Sequence, residues 1–431
     1  MSDPSVPLTE RRYLRPFILV TSLFFLWAIG VNLNDILIPH LKKAFSLTDF
    51  QSSLIQSAFF GGYFLAAWPA GALMQRIGYK KGILAGLLTC AAGAFLFIPA
   101  SSVRVYGFFL FALFVMACGQ SFLEVAANPY VTTLGPRESS ERRLNFAQSF
   151  NSVGAVITPF LGAAFILSGI EHSPAELSAM APAQLLAYRA SEANMLRLPY
   201  LVITAIFLCV ALLIRFSSLP EIHEVSGGAQ TQEAPVGLTD IARHGHLLKG
   251  VAAQFFYVGA QVGVASFIIR FAEHMIAGTH EKTAAHYLQF HLVGFMIGRF
   301  AGSAAMKKVP PSRMLAVFAA CSLACLAVVL LATGRAPVWA IALVGFFHSI
   351  MFPTIFALSI HNLGAGTKLG SSLLVMSIIG GAIIPAVMGK ISDVVNIQAA
   401  FVVPLICHAY ILYFAVRGYR PAEIPELAPA V

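Results

Sequence analysis

The sequence predicts an all-α membrane protein, with twelve transmembrane helices arranged as two pseudo-symmetric six-helix halves. Composition is the first reason: hydrophobic residues make up 58% of the 431 residues and charged ones only 11%, with a mean hydropathy of +0.78. The second is that apolar runs of about 20 residues, the length that crosses a bilayer as a helix, recur along the whole chain. The third is an internal likeness between the two halves of the chain.

About twelve spans are legible, centred near residues 28, 62, 92, 116, 156, 208, 262, 295, 323, 348, 380 and 408. The first follows Arg11, Arg12 and Arg15 and is succeeded by further spans, so it reads as a retained helix rather than a cleaved leader. An even number of crossings puts both termini on one side. The loops after spans two, four and eight carry Arg76, Lys80 and Lys81, then Arg137, Arg142 and Arg143, then Lys307, Lys308 and Arg313. With the terminal segments, including Arg417 and Arg420, they form a basic face that the positive-inside rule places in the cytoplasm. Lys42 and Lys43 are the main exceptions on the opposite face.

The polar segment 218–246 divides the spans six and six, giving an amino-terminal half (1–217), a cytoplasmic linker and a carboxy-terminal half (247–431). Residues 171–197 alternate apolar and polar at helical spacing, which fits an interfacial helix or an extension of spans five and six. The halves also echo each other. The basic loop 71–81 has a counterpart at 302–313, and Gly154 five residues before Pro159 matches Gly380 five before Pro385. Repeats of this kind place a binding site between the halves near the bilayer midplane.

Two acids stand out. Between Arg15 and Lys42 the sole formal charge is Asp35, and between Arg104 and Arg137 it is Glu124. A charge at such depth costs on the order of 3 kcal/mol even on lenient insertion scales, so an intramembrane acid points to an ion or substrate pathway. Other readings stand beside this one: Asp35 as an interfacial residue of a tilted helix, and Glu124 as a structural partner of Arg299, the candidate charge partner within span eight. Buried Asn and Gln residues also serve as interhelical bonds. His291, His348 and His408 lie in spans without metal-ligand spacing and read as polar packing, so no metal site is expected. The six cysteines all fall in apolar spans, which argues for buried free thiols rather than a disulfide framework.

Several function classes drop out. The net charge of +9 is spread over short loops rather than gathered in a patch, which argues against nucleic acid. No phosphate-cradling Gly-rich loop with its Lys and no His-Glu-x-x-His is present, so neither an enzyme nor ATP-driven transport is expected, and no cofactor.

Specific motifs narrow the reading further. They are Trp27, Asn32, Asn34, Asp35 and Pro39 in span one, Gln56 in span two, and Glu124, Asn128 and Pro129 in span four. Arg143, Asn145, Gln148 and Asn151 enter span five; Tyr257 and Gln261 lie in span seven, Gly298 and Arg299 in span eight, and Pro353 in span ten. On these residues, over nearly the whole length, the chain resembles the major facilitator superfamily, and within it the fucose-galactose-glucose:proton symporter family. One departure is Gln75, which stands where the superfamily's loop motif has an Asp.

The resemblance implies a proton-coupled importer of L-fucose or a closely related monosaccharide, working by alternating access in the bacterial inner membrane as a monomer. It assigns proton carriage mainly to Glu124 and substrate-coupled work to Asp35. Gln148 and Asn151 would line the cavity. Sugar hydroxyls need amides and carboxylates, and the ring's apolar face needs an aromatic surface. Asn32, Asp35, Gln148, Asn151, Gln254 and Gln261 would supply the first, and Trp27, Tyr257 and Phe352 the second. Members that take L-fucose carry a Trp where this chain has Ala265 and a Tyr where it has Phe352. Glucose, galactose and N-acetylglucosamine therefore stay open as substrates, as do sodium coupling, uniport and, more remotely, a sugar sensor that does not transport.

Overall fold

The computed structural model describes residues 6–45, 49–165, 179–220 and 243–421, with Leu47, Glu176, Gly237, Asp240 and Ile241 as isolated positions. Most of the expected linker, residues 221–236, and residues 171–175 of the other long segment lie outside the described residues.

In chain order, the amino-terminal helices are α1 (Leu14–Phe45), α2 (Asp49–Val103), α3 (Tyr106–Thr133), α4 (Ser140–Phe165), α5 (Pro182–Met195) and α6 (Arg197–Phe216). The carboxy-terminal ones are α7 (Gly245–Met275), α8 (Glu281–Ala305), α9 (Pro311–Leu331), α10 (Arg335–His348), α11 (Met351–Ile360), α12 (Thr367–Met376), α13 (Gly380–Val394) and α14 (Val402–Tyr413).

Among the described residues, nine helical stretches are long and apolar enough to cross a membrane. One of them, within α2, is two passes. Gly78 adopts φ 79° and ψ 172°, a left-handed excursion that glycine tolerates, and the chain reverses there. The reversal explains why Gly62 and Gly93, far apart in α2, both abut α3 near Met116 and Ala117. The remaining two passes are α4 and α8, which fall outside the apolar group because they carry the polar side chains of the site. Both arms of α2 together with α4 and α8 bring the passes to twelve, the architecture expected.

The predicted centres at 348 and 380 fall on helix breaks. Span ten is split into α10 and α11, and span eleven into α12 and α13 around a 3₁₀ turn at Ser377–Ile379. Pro353 accounts for the first break: lacking an N–H, it leaves the carbonyl of Ser349 four residues earlier without its helical partner. Freed main-chain groups inside a membrane must be satisfied by neighbouring helices.

The repeat seen in sequence is a repeat of packing. A Cβ at Gly154 of α4 would stand 2.7 Å from the Phe25 carbonyl of α1, and one at Gly380 of α13 would stand 2.2 Å from the Phe255 carbonyl of α7. In each half, span five or its counterpart eleven crosses the half's first span at a glycine, where the backbones touch.

The outer surface is apolar, as lipid requires: Leu331 is 86% exposed, Phe216 81% and Phe160 70%. The basic loops collect at one end of the bundle. There Lys80 donates to the carbonyl of Ser217 at 2.7 Å, and the guanidinium of Arg143 caps the carboxy-terminal end of α3 by donating to the carbonyls of Val131 and Thr132. The same Arg143 ties in the amino-terminal segment through the carbonyl of Leu8 at 2.9 Å. Segment 171–197 ends as α5, which packs on α1 and α2 and leads into α6; it is less superficial than a purely interfacial helix, because Glu192 is buried.

The first six and last six passes meet through α4 with α8 and α11, and through α12 with α2 and α3. Toward the basic end Ser303 of α8 donates to the carbonyl of Arg142 at 3.3 Å, and Gly71 of α2 lies against Ser372 and the Lys368 carbonyl of α12. The two halves are in contact at that end.

Candidate functional site

Glu124 lies in α3 with 6% of its surface exposed, between the Tyr63 hydroxyl of α2 and the Asn128 amide one turn along its own helix. Asn128 donates to the main-chain carbonyl of Glu124 at 3.1 Å, and its Oδ1 accepts from Gln148 Nε2 of α4 at 2.9 Å. The Glu-Asn spacing of the span-four motif is thus an i, i+4 pair that joins α3 to α4.

Arg299 of α8 faces this cluster from the other half. Its Nη1 donates to the main-chain carbonyl of Gln148 at 2.6 Å and to Gln148 Oε1 at 3.2 Å, with Asn151 Oδ1 at 3.5 Å. Its Nε donates to the Ser349 carbonyl freed by Pro353, at 2.8 Å, and the guanidinium stands 4.5 Å over the ring of Phe295. The expected pairing with Glu124 takes a different form: the two groups interact electrostatically, without a direct ion pair between them. Arg299 is neutralised by distributed carbonyl dipoles, with Glu124 one layer away.

The other expected residues divide into two groups. Asn32, Asn151 and Gln261 are half-buried. Asn32 donates to the Ala28 carbonyl of its own helix at 2.7 Å, and Asn151 donates to the Phe24 carbonyl of α1 at 3.3 Å. Trp27, Gln148, Gln254 and Tyr257 are buried in this conformation. The Trp27 ring packs against Phe24 at 4.4 Å. Tyr257 donates to the carbonyl of His348 at 2.9 Å and sets its ring 6.3 Å from that of Phe352. Asp35 belongs to α1, but its side chain lies outside the described residues.

Gln254 is fully enclosed with both amide atoms unpartnered, so it presents no surface to a sugar here. The same is true of Gln120 of α3, which the sequence reading passed over. A signal existed: Gln120 precedes Glu124 by one helical turn, on the same face. Leaving such amides unpaired costs about 1–3 kcal/mol per group.

Tyr63 was likewise missed, because it reads as one more aromatic in an apolar run. Further from the centre, a cavity of about 520 Å³ opens at the basic end, lined by Leu8, Arg142, Phe146, Phe300 and Lys307 among others. It is distinct from the Glu124 cluster. The six cysteines are free, but of the six expected to be buried only Cys90 and Cys407 are, while Cys118, Cys321 and Cys325 are half-buried and Cys209 is exposed.

Comparison with known proteins accords with this geometry. The sequence model of the Major Facilitator Superfamily matches residues 20–371. The chain is 45% identical to the L-fucose-proton symporter of Escherichia coli, over 94% of this chain and 93% of that protein. It is 41% identical to a glucose/galactose transporter of Brucella abortus, over 93% of each. The crystal structure of FucP, a transporter of the same superfamily in the outward conformation, superposes with a TM-score of 0.88 at 45% identity, covering 96% of this chain and all of that one (100%). The chain therefore belongs to the Major Facilitator Superfamily.

Proposed function

We propose that this chain is a proton-coupled monosaccharide importer that works by alternating access, and that L-fucose or a closely related sugar is its substrate. The observation that carries the reading is the buried acid Glu124 beside Arg299, a cation that bridges the two sets of six helices. The named activity of the Escherichia coli relative supports the same assignment.

The proton's part follows from electrostatics. A carrier that reorients with an unneutralised carboxylate must drag a charge through low dielectric, at a cost of several kcal/mol. With Glu124 protonated, that cost is removed. Arg299 would then lose its distant counter-charge and depend on Gln148, Asn151, Ser349, the Tyr257 hydroxyl and the Phe295 ring, so proton loading and the contact between halves become one equilibrium. Asp35, Asn32, Asn151 and Gln261 are assigned to the sugar hydroxyls, with Trp27 and Tyr257 as aromatic walls. Gln148 joins the sugar site to the proton site. The division at residues 218–246 makes each six-helix half the rigid body that rocks.

Contact of the halves at the basic end, with that end cytoplasmic, corresponds to an outward-open carrier; both termini then lie in the cytoplasm of a bacterial inner-membrane protein, and one chain contains the complete pathway. A second reading, glucose or galactose as substrate, is favoured by the small Ala265 and by the Brucella abortus relative. The deciding experiment adds L-fucose, D-galactose, D-glucose and N-acetylglucosamine in turn to weakly buffered vesicles containing the protein. Alkalinisation of the medium identifies the sugar and the coupling ion together. Labelled sugar entry without a pH change would replace the proton by sodium or by uniport.

A further inference from the structure

Three histidines on three separate helices meet inside the carboxy-terminal half: His291 of α8, His348 at the end of α10 and His408 of α14, all buried. His348 and His408 approach Nε2 to Nε2 at 2.9 Å, with ring planes 7° apart and centroids 4.9 Å apart. The nitrogen gap plus two ring radii slightly exceeds that separation, so the rings meet through their Nε2 edges with nearly parallel planes and share an N–H···N bond.

Between two neutral rings that bond has one direction. His408 Nδ1 lies 2.7 Å from the Pro404 carbonyl, which accepts only, so Nδ1 carries the hydrogen and Nε2 is the lone pair. His348 must then donate from Nε2, which leaves its buried Nδ1 without a hydrogen and, as observed, without a partner. The other titratable groups against His348 are the rings of His291 and Tyr257, each 5.9 Å away, and no carboxylate is among its electrostatic neighbours.

What the pair holds is the break in span ten. The carbonyl of His348 takes the Tyr257 hydroxyl at 2.9 Å, whose oxygen also stands beside the main-chain N–H of Phe352 and so occupies the interrupted rung of the helix. The next carbonyl, Ser349, takes Arg299 Nε at 2.8 Å. Two consecutive carbonyls at one break therefore aim two polar groups of the proposed site, and the side chain at that break is tethered to α14.

We propose that His408 is a positioning residue for transport: through His348 it sets the α10–α11 break and with it the direction of Tyr257 and Arg299. The inference rests on the proposed sugar site at Tyr257. His408→Gln places an amide oxygen where Nε2 stands and accepts from His348, whereas His408→Asn reaches only as far as Nδ1. Kinetics of uptake into proteoliposomes, with the four labelled sugars named above, should give His408→Gln a KM within about twofold of wild type. His408→Asn should raise KM about fivefold or more with kcat little changed, as expected when a buried donor loses its acceptor. Equal KM values for the two variants overturn the inference.

Tyr257→Phe, which removes the hydroxyl that His348 holds, should raise KM by a similar factor; a wild-type KM there overturns the inference even if both His408 variants are unstable. Tyr257→Ala separates the two levels. A wild-type KM for it refutes the sugar site itself, while a raised KM beside an unaffected His408→Asn removes only the positioning role.

Discussion

Arg299 and Gln148 belong to different halves of the chain, yet the guanidinium of the first donates to both the main-chain carbonyl and the side-chain oxygen of the second, at 2.6 and 3.2 Å. Gln148 in turn donates to Asn128, which bonds the backbone of Glu124. A buried cation is thus linked through two amides to the acid-bearing helix of the opposite half, which under the proposed function is a physical route from proton binding to the contact between the halves.

Arg299→Lys keeps the charge but loses the planar fork that reaches Gln148, Ser349 and Asn151 together. The contact at the basic end should open more often. With a cysteine introduced at Ser303 as reporter, labelling by a thiol reagent from the basic side should accelerate about tenfold relative to the same cysteine beside Arg299. Unchanged labelling would show that other contacts hold that end shut.

Glu124→Gln mimics the protonated acid permanently. Uphill sugar accumulation should disappear while exchange of labelled for unlabelled sugar across the membrane persists. Concentrative uptake by the variant would remove Glu124 from proton carriage.

Asp35→Asn should raise the sugar KM or uncouple sugar entry from proton entry. The measurement is the ratio of proton to sugar flux in vesicles at saturating sugar. Wild-type KM together with a wild-type ratio would refute a substrate-coupled role for Asp35.

Gly380→Ala should destabilise the protein by about 2 kcal/mol or more, because a Cβ there meets the Phe255 carbonyl at 2.2 Å and backbone cannot yield as a side chain can. Gly107→Ala, where nothing lies within 4 Å, is the control and should leave thermal unfolding in detergent unchanged. Similar melting for both would mean that α7 and α13 separate at little cost.

Ala265→Trp should shift preference toward L-fucose over D-galactose and D-glucose by about tenfold in kcat/KM, the scale of one added apolar contact in a pocket. Unaltered preference would place the determinant elsewhere on the pocket wall.

The sequence by itself determined the twelve passes, the polarity of the bundle's ends, the repeat and the two acids. These are legible because a bilayer imposes a nearly one-dimensional code: length, apolarity and loop charge are sufficient to place a helix. Gly154 and Gly380 were visible as a spacing, but their role as backbone crossings is seen only in the structure.

Only the tertiary structure decided which polar groups meet. Arg299 looked like a direct partner for Glu124, but its bonds go to carbonyls, one of them released by Pro353 54 residues further along the chain. His348 and His408, separated by 60 positions, share a hydrogen bond that no spacing rule announces. Gln254 read as a ligand for sugar hydroxyls and Gln120 was passed over, whereas enclosure leaves both amides without partners. The reason is physical: hydrogen bonds between helices depend on rotation and height to within an ångström, and hydropathy is blind to both.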